Sequence, residues 1–199
     1  MNFVLASGSP RRRELMNIIS AEYETVAPDV DESVISDKTP SGVYVQELAL
    51  LKAAAAAKRY VKKRNTIIIA ADTIVTVDGR ILGKPLDFKD ARNTLIMLSG
   101  RTHEVYTGFC IMRMSDAFTV CSRVKTEVTF GDLTTEKIDA YIKTGEPMDK
   151  AGSYGIQGLG SLFVKEIKGD YFNVVGFPVF EIAQVLEKEF NINILTSNK

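Results

Sequence analysis

The sequence lacks several features that mark particular classes of protein. Its 199 residues include no tryptophan and one histidine, His103. No cluster of cysteine and histidine is present to hold zinc. A serine or cysteine hydrolase mechanism would depend on His103 alone, so we expect this residue to be structural.

Cysteine is also scarce, with only Cys110 and Cys121. They lie in neighbouring β-like segments and would be opposite each other if a hairpin turned at Ser115-Asp116. That arrangement permits a disulfide, but a reducing cytoplasm favours two free thiols.

An excess of one charge and a long apolar run are both missing. The chain has 25 acidic and 25 basic residues, so it has no general basic field of the kind that binds nucleic acid. No run is long enough for a membrane span, and Met1-Asn2-Phe3 leads into the first strand without a signal peptide. We therefore expect a cytoplasmic protein with no nucleic-acid or membrane partner, folded as one domain or two small lobes.

The first motif joins a strand to a helix with an unusual charge at its start. Phe3 to Ala6 is apolar, Ser9 is a good N-cap and Pro10 suits the first helical position. Three arginines, residues 11–13, then occupy the first turn, where the helix dipole is already positive. Each arginine costs roughly 0.3–1 kcal/mol there unless an anion binds.

Helical spacing separates these arginines. The inward stripe consists of Leu15, Met16 and Ile19. Arg11 and Arg12 stand four residues before members of that stripe, whereas Arg13 does not and should be solvated. Arg11 and Arg12 are therefore candidate phosphate ligands, with Ser7-Gly8-Ser9 allowing close backbone approach. A basic surface turn is the alternative.

An acidic loop and a long helix follow. Residues 29–32 include three carboxylates, which invite a metal, although an ordinary polar loop is the alternative and EF-hand spacing is absent. Ser41 is expected to cap a helix running to about Lys63, with Lys52 in its middle.

The most strand-like run is Thr66 to Ala71, and it leads directly to Asp72-Thr73. Its continuous apolar character is typical of a central buried strand, whose C-terminal end is where α/β sheets place chemistry. A tight turn at Asp78-Gly79 should return the chain and bring Lys84 towards the same region. Asp72 is a candidate functional residue, and a simple strand-end or turn residue is the alternative.

The sequence from Thr102 onwards predicts strands and one glycine-rich loop. Thr102 to Met114 and Ala117 to Phe130 read as an antiparallel pair, and Asn191 to Lys199 as a frayed tail. Residues 149–161 hold four glycines, which allow positive φ and close backbone approach to a ligand. Gln157 in this loop can both donate to and accept from a nucleobase. A mobile surface loop is the alternative.

Many short motifs in this order resemble one family, the Maf nucleoside triphosphate pyrophosphatases, also called septum formation proteins. The resemblance covers nearly the whole chain. It rests on Ser7-Gly8-Ser9-Pro10-Arg11-Arg12, Asp31-Glu32, Lys52-Ala53, Ala71-Asp72-Thr73, Gly83-Lys84-Pro85, Leu98-Ser99-Gly100, Asp149-Lys150-Ala151-Gly152 and Tyr154-Gly155-Ile156-Gln157-Gly158.

The resemblance implies a fold and a reaction. The fold would be α/β, a mixed twisted sheet with flanking helices similar to the inosine triphosphate pyrophosphatases. Residues 1–199 would form a single domain of two lobes with the active-site cleft between them. The reaction would convert a nucleoside triphosphate to the monophosphate and pyrophosphate with a divalent metal cation, Mg²⁺, Mn²⁺ or Co²⁺. A homodimer is an open alternative to a monomer.

The resemblance also implies roles for individual residues. Asp72 matches the proton acceptor, and Glu32 matches a carboxylate on the metal side. Ser7, Arg12, Lys52 and Lys84 resemble phosphate ligands. Arg11, Thr73 and Gln157 match positions of substrate choice, and their identities are similar to the branch acting on dTTP and UTP rather than on 7-methyl-GTP.

Two other functions remain open from the sequence. One is a non-catalytic nucleotide-binding regulator of cell division, and the other is a phosphatase that releases the γ-phosphate. Asp72 and Glu32 argue against the regulator, because extra carboxylates weaken simple anion binding.

Overall fold

The computed structural model describes residues 1–36 and 38–197, which form seven strands and seven α-helices. The strands are β1 (Asn2–Ala6), β2 (Tyr23–Val26), β3 (Thr66–Val77), β4 (Arg80–Leu82), β5 (Thr102–Arg113), β6 (Thr119–Phe130) and β7 (Val164–Lys168). The helices are α1 (Pro10–Ile19), α2 (Ser41–Ala57), α3 (Phe88–Leu98), α4 (Thr135–Lys143), α5 (Tyr171–Val175), α6 (Val179–Phe190) and α7 (Ile194–Ser197).

The strands form a mixed sheet in the order β2-β1-β3-β5-β6-β7, with β4 paired to β3. β1 is parallel to both β2 and β3, whereas β4 is antiparallel to β3 and β7 is antiparallel to β6. The predicted mixed α/β fold with flanking helices is confirmed. The turn at Asp78-Gly79 is also as predicted: both residues have positive φ, and Val77 pairs with Arg80 across it.

The described residues divide into two compact units. The first comprises Met1–Asp72, Thr107–Val124 and Gly176–Lys199. Its core includes one face of β1 and β3 packed against small side chains of α2, namely Ala49, Ala53 and Ala56. Gly108 on β5 explains how closely α2 approaches, because a Cβ at this position would lie 2.2 Å from the Val45 carbonyl oxygen.

The second unit comprises Thr73–Tyr106 and Lys125–Val175. Its core is rich in aromatic rings, with Phe130, Tyr141, Tyr154 and Phe163 in edge-to-face contacts. Side chains from α3 and α4 complete this core, including Leu95, Leu98, Ile138 and Ile142.

Two boundaries differ from the sequence prediction. α2 contains Ser41 as its first residue rather than as a side-chain cap, and it ends at Ala57 rather than near Lys63. Beyond Ala57 the chain tightens into turns, which bury Tyr60 and let its hydroxyl donate to Glu24 Oε2 at 2.9 Å. The predicted frayed tail is also wrong in part, since Ile192 is buried and α7 follows it, whereas residues 198 and 199 lie outside the described residues.

None of the helices in the described ranges combines the length and apolar character needed to cross a bilayer.

Candidate active site

The start of α1 is a positively charged helix end built as predicted. Ser9 caps the helix, with its Oγ accepting from the Arg12 backbone N–H at 3.5 Å, and Pro10 is the first helical residue. No acidic residue lies in the first turn. Arg11 and Arg12 are half-buried, whereas Arg13 is exposed, as their spacing predicted.

Arg12 is held in place by neighbouring oxygens. Its Nε donates to the Gly176 carbonyl at 2.8 Å, and its Nη1 donates to Ser7 Oγ at 3.4 Å. Ser7 is itself buried and also accepts from the Ser9 N–H at 3.2 Å. Burial lowers the pKa of Arg12, whereas the negative charge of Asp72 acts to raise it. A guanidinium remains protonated at neutral pH, so a fixed cation lies beside the helix end.

Lys52 joins two carboxylates from different elements. Its ammonium donates to Asp72 on β3 in a short hydrogen bond, and it lies 2.8 Å from Glu32 Oε1. The side chains of Lys52 and Asp72 are each 14% exposed, whereas that of Glu32 is 50% exposed. This cluster lies within electrostatic range of Arg12, because both Asp72 and Glu32 act to raise the pKa of that arginine.

The acidic loop contributes one carboxylate to this cluster rather than three. Glu32 begins a short 3₁₀ turn, Glu32–Val34, and reaches Lys52. Asp31 caps that turn, since its Oδ1 accepts from the backbone N–H and the hydroxyl of Ser33. Those hydrogen bonds lower the pKa of Asp31.

The two carboxylates near Lys52 fit a divalent cation whose remaining ligands would come from the substrate. Across residues 1–36 and 38–197, no three histidine, cysteine, aspartate or glutamate side chains are grouped to hold a metal by themselves. Glu32 and Asp72 bring two carboxylate groups to a common lysine. Mg²⁺ is commonly held by one or two carboxylates together with substrate phosphates, which suits this pair.

The other three predicted site residues belong to the second unit, where Thr73 is half-buried and both Lys84 and Gln157 are exposed. The Gly152 N–H donates to the Gly83 carbonyl at 3.1 Å. This bond ties the segment that leads to Lys84 to the glycine-rich segment that leads to Gln157.

The glycines of that segment also allow close packing within its own unit, whereas their approach to a ligand stays a prediction. Of the four, positive φ occurs only at Gly152, where φ is 70°. A Cβ at Gly155, Gly158 or Gly160 would instead approach other atoms within 2.8 Å. At Gly158 and Gly160 those atoms belong to Glu146 and to the loop itself, so the loop is folded tightly against its own unit.

Glu146 is the residue that sequence reasoning missed here. Its carboxylate accepts hydrogen bonds from the Leu159 and Gly160 N–H groups and from the Tyr141 hydroxyl. The close spacing of three glycines was the available signal, since glycine is needed where another group approaches the backbone.

His103 and the cysteines lie outside the candidate site. His103 is buried in the second unit, where it shares a 2.9 Å hydrogen bond with the Tyr154 hydroxyl. Burial lowers the pKa of His103 to about 4, so the ring is neutral near pH 7. Cys110 and Cys121 are free thiols, as predicted, with their sulfur atoms 2.8 Å apart.

Comparison with known proteins adds a family to this geometry. A sequence model of the family described as "Maf-like protein" matches residues 2–189. A dTTP/UTP pyrophosphatase of Bacillus cytotoxicus is 49% identical over 186 residues, covering 94% of each chain. One from Bacillus cereus strain AH187 is 49% identical over 191 residues, covering 96% of each chain.

Solved structures bear on the fold alone. The structure of a HAM1 protein from Coxiella burnetii matches with a TM-score of 0.51 at 15% identity, covering 94% of this chain and 99% of that one.

Proposed function

The chain belongs to the Maf family, and on that premise we propose that it hydrolyses dTTP and UTP to the nucleoside monophosphate and pyrophosphate. The observation that carries the proposal is the 49% identity, over nearly the full length of both chains, to relatives named dTTP/UTP pyrophosphatase. The geometry of the site supplies groups suited to each part of that reaction.

The α1 end is suited to bind the phosphates. A nucleoside triphosphate carries about four negative charges near neutral pH, and a helix N-terminus with two half-buried arginines offers both N–H donors and fixed positive charge. Arg12 would contact phosphate oxygens together with Ser7, whose hydroxyl already lies beside its guanidinium. Lys84 and Lys52 are the remaining proposed phosphate ligands.

Asp72 is proposed to accept the proton of the attacking water. The water oxygen forms a bond to the α-phosphorus as the bond from that phosphorus to the bridging oxygen breaks, and pyrophosphate leaves. The hydrogen bond from Lys52 fixes one oxygen of Asp72, which orients the carboxylate for this step.

The same carboxylates support a requirement for a divalent metal. Glu32, with Asp72 beside it, would hold the cation. When bound, Mg²⁺, Mn²⁺ or Co²⁺ would offset the charge that develops on the leaving pyrophosphate.

Base selection is assigned to Gln157 together with Arg11 and Thr73. The Gln157 side chain is exposed on a fixed loop, and its amide has one acceptor oxygen and a donor nitrogen. Thymine and uracil present alternating acceptors and donors along one edge, so a single amide can match two of these groups.

Product analysis tests the proposal. The purified protein is incubated with dTTP and Mg²⁺ or Mn²⁺, and dTMP, dTDP, pyrophosphate and orthophosphate are quantified. Equal amounts of dTMP and pyrophosphate support it. Release of dTDP and orthophosphate would identify a γ-phosphatase, and nucleotide binding without turnover would favour the regulator. An Asp72→Asn preparation made in parallel controls for contaminating hydrolases.

A further inference from the structure

The loop that presents Gln157 is bonded at both ends to a pair of side chains, Glu146 and Tyr141. Glu146 Oε2 accepts from the Leu159 N–H at 2.8 Å, and its Oε1 accepts from the Gly160 N–H at 3.1 Å. The Tyr141 hydroxyl donates to Glu146 Oε1 at 2.9 Å and accepts from the Gly155 N–H at 3.1 Å. The backbone is therefore held two residues before and two residues after Gln157.

Packing restricts the loop further. A Cβ on Gly158 would lie 2.5 Å from either carboxylate oxygen of Glu146. Gly158 has φ of −113°, so it is required by this close approach and not by a left-handed backbone. Ile156, next to Gln157, packs against the core of the second unit.

The carboxylate suits this position because an ionised carboxylate is an acceptor only and three donors converge on it. Burial acts to raise the pKa of Glu146, but the bonds from Gly160, Leu159 and Tyr141 outweigh it and the pKa is lowered. An amide of the same shape would place a donor nitrogen against one of the backbone N–H groups.

We propose that Glu146, acting with Tyr141, is a positioning residue that fixes the loop of residues 155–160 and thereby sets the base selectivity exerted by Gln157. The inference rests on the proposed function. Glu146 bonds to the loop backbone on the far side of Gln157, so we expect it to act on selectivity through the placement of Gln157.

The experiment compares Glu146→Gln and Tyr141→Phe with the parent protein. The kcat/KM ratio of dTTP to dCTP should fall about tenfold in Glu146→Gln, and in the same direction but less in Tyr141→Phe. Most of the change should lie in KM for dTTP rather than in kcat, because the reacting groups are untouched. Inhibition by inorganic triphosphate, which has no base, should keep the same inhibition constant.

Two further variants distinguish positioning from general damage. Glu166→Gln removes an exposed carboxylate from the same unit and should leave the ratio unchanged. Gly158→Ala keeps the carboxylate but pushes the loop away from it, so it should lower the kcat/KM ratio of dTTP to dCTP as Glu146→Gln does. If Glu146→Gln fails to fold, Gly158→Ala serves as the test of the proposal.

The possible outcomes test the proposed function and the role of Glu146 separately. A parent protein that releases no pyrophosphate from dTTP would overturn the proposed function itself. A parent that prefers dTTP, combined with an unchanged ratio in the folded variants, would overturn the role of Glu146 alone. An equal loss of affinity for inorganic triphosphate would also overturn it, because the damage would then extend beyond base selection.

Discussion

Asp72 is the residue whose replacement tests the proposed chemistry most directly. Asp72→Asn removes the proton acceptor but keeps the size of the side chain, so kcat for dTTP should fall by about 10²-fold or more while much of the nucleotide affinity remains. Asp78→Asn is the matched control, because Asp78 lies in the turn after the same strand and pairs with Arg101. Near-normal turnover by folded Asp72→Asn would remove this residue from catalysis.

Arg11 and Arg12 of α1 are half-buried whereas Arg13 is exposed, so their expected roles differ. Arg11→Ala and Arg12→Ala should each reduce kcat/KM for dTTP by about tenfold or more, since charged hydrogen bonds contribute roughly 1.5–3 kcal/mol. Arg13 is exposed, and Arg13→Ala should change kcat/KM by no more than about twofold. Steady-state kinetics on the three variants decides between a defined phosphate site and a diffuse basic patch, for which the losses would be equal.

Gln157 is the residue proposed to select the base of the substrate. Gln157→Glu replaces a donor by a charged acceptor, which would face a pyrimidine carbonyl and should cost roughly 1–3 kcal/mol in kcat/KM for dTTP. Activity on a nucleotide without that carbonyl should fall less, because the triphosphate contacts are unchanged. If the variant ranks nucleotides as the parent does, or if the parent hydrolyses GTP and ATP as well as dTTP, Gln157 does not select the base.

At the scale of elements, the packing of α2 on β5 depends on one glycine. A Cβ at Gly108 would meet backbone atoms of α2, which cannot move aside as a flexible side chain can. Gly108→Ala should therefore lower the free energy of unfolding by about 2 kcal/mol or more. Gly131→Ala is the control, because a Cβ there meets nothing within 4 Å. Urea denaturation of both variants measures the difference, and equal midpoints would mean that the helix shifts at little cost.

Local sequence signals predicted the elements well where the determinant was itself local. The cap at Ser9 and the turn at Asp78-Gly79 depend on residues within a few positions of one another, and both are present. The predicted end of α2 was wrong: the helix ends at Ala57, and the turns after it bring the Tyr60 hydroxyl to Glu24, 36 residues away. Helix propensity alone gave no reason to stop at Ala57.

The same distinction holds for the site in the whole molecule. The candidate residues were predicted from short motifs, but the partners of Lys52 were not, since Asp72 is 20 residues away on another element. Lys52 was predicted as a phosphate ligand, and the structure also pairs it with two carboxylates. The partners of Glu146 were not predicted either, because they become its neighbours only when the second unit folds.

The stability of the whole molecule should depend on pH through its one histidine. Burial lowers the pKa of His103 to about 4 in the folded state, against 6.5 for an ordinary histidine. The unfolded chain therefore binds the proton more strongly, and protonation favours unfolding. The contribution is fully present above pH 6.5 and is lost as the pH falls towards 4.

The difference between the pKa values of His103 in the folded and unfolded chain predicts a loss of about 2 kcal/mol in the free energy of unfolding between pH 7.5 and pH 5. Urea denaturation at the two pH values measures it, on the parent and on His103→Gln. The variant is expected to be less stable overall, because it disturbs the bond to Tyr154, but its stability should change little across this interval. Since the chain has no other histidine, a parent whose stability is flat between these pH values, or a variant with the same slope, would show that His103 is not held neutral by burial.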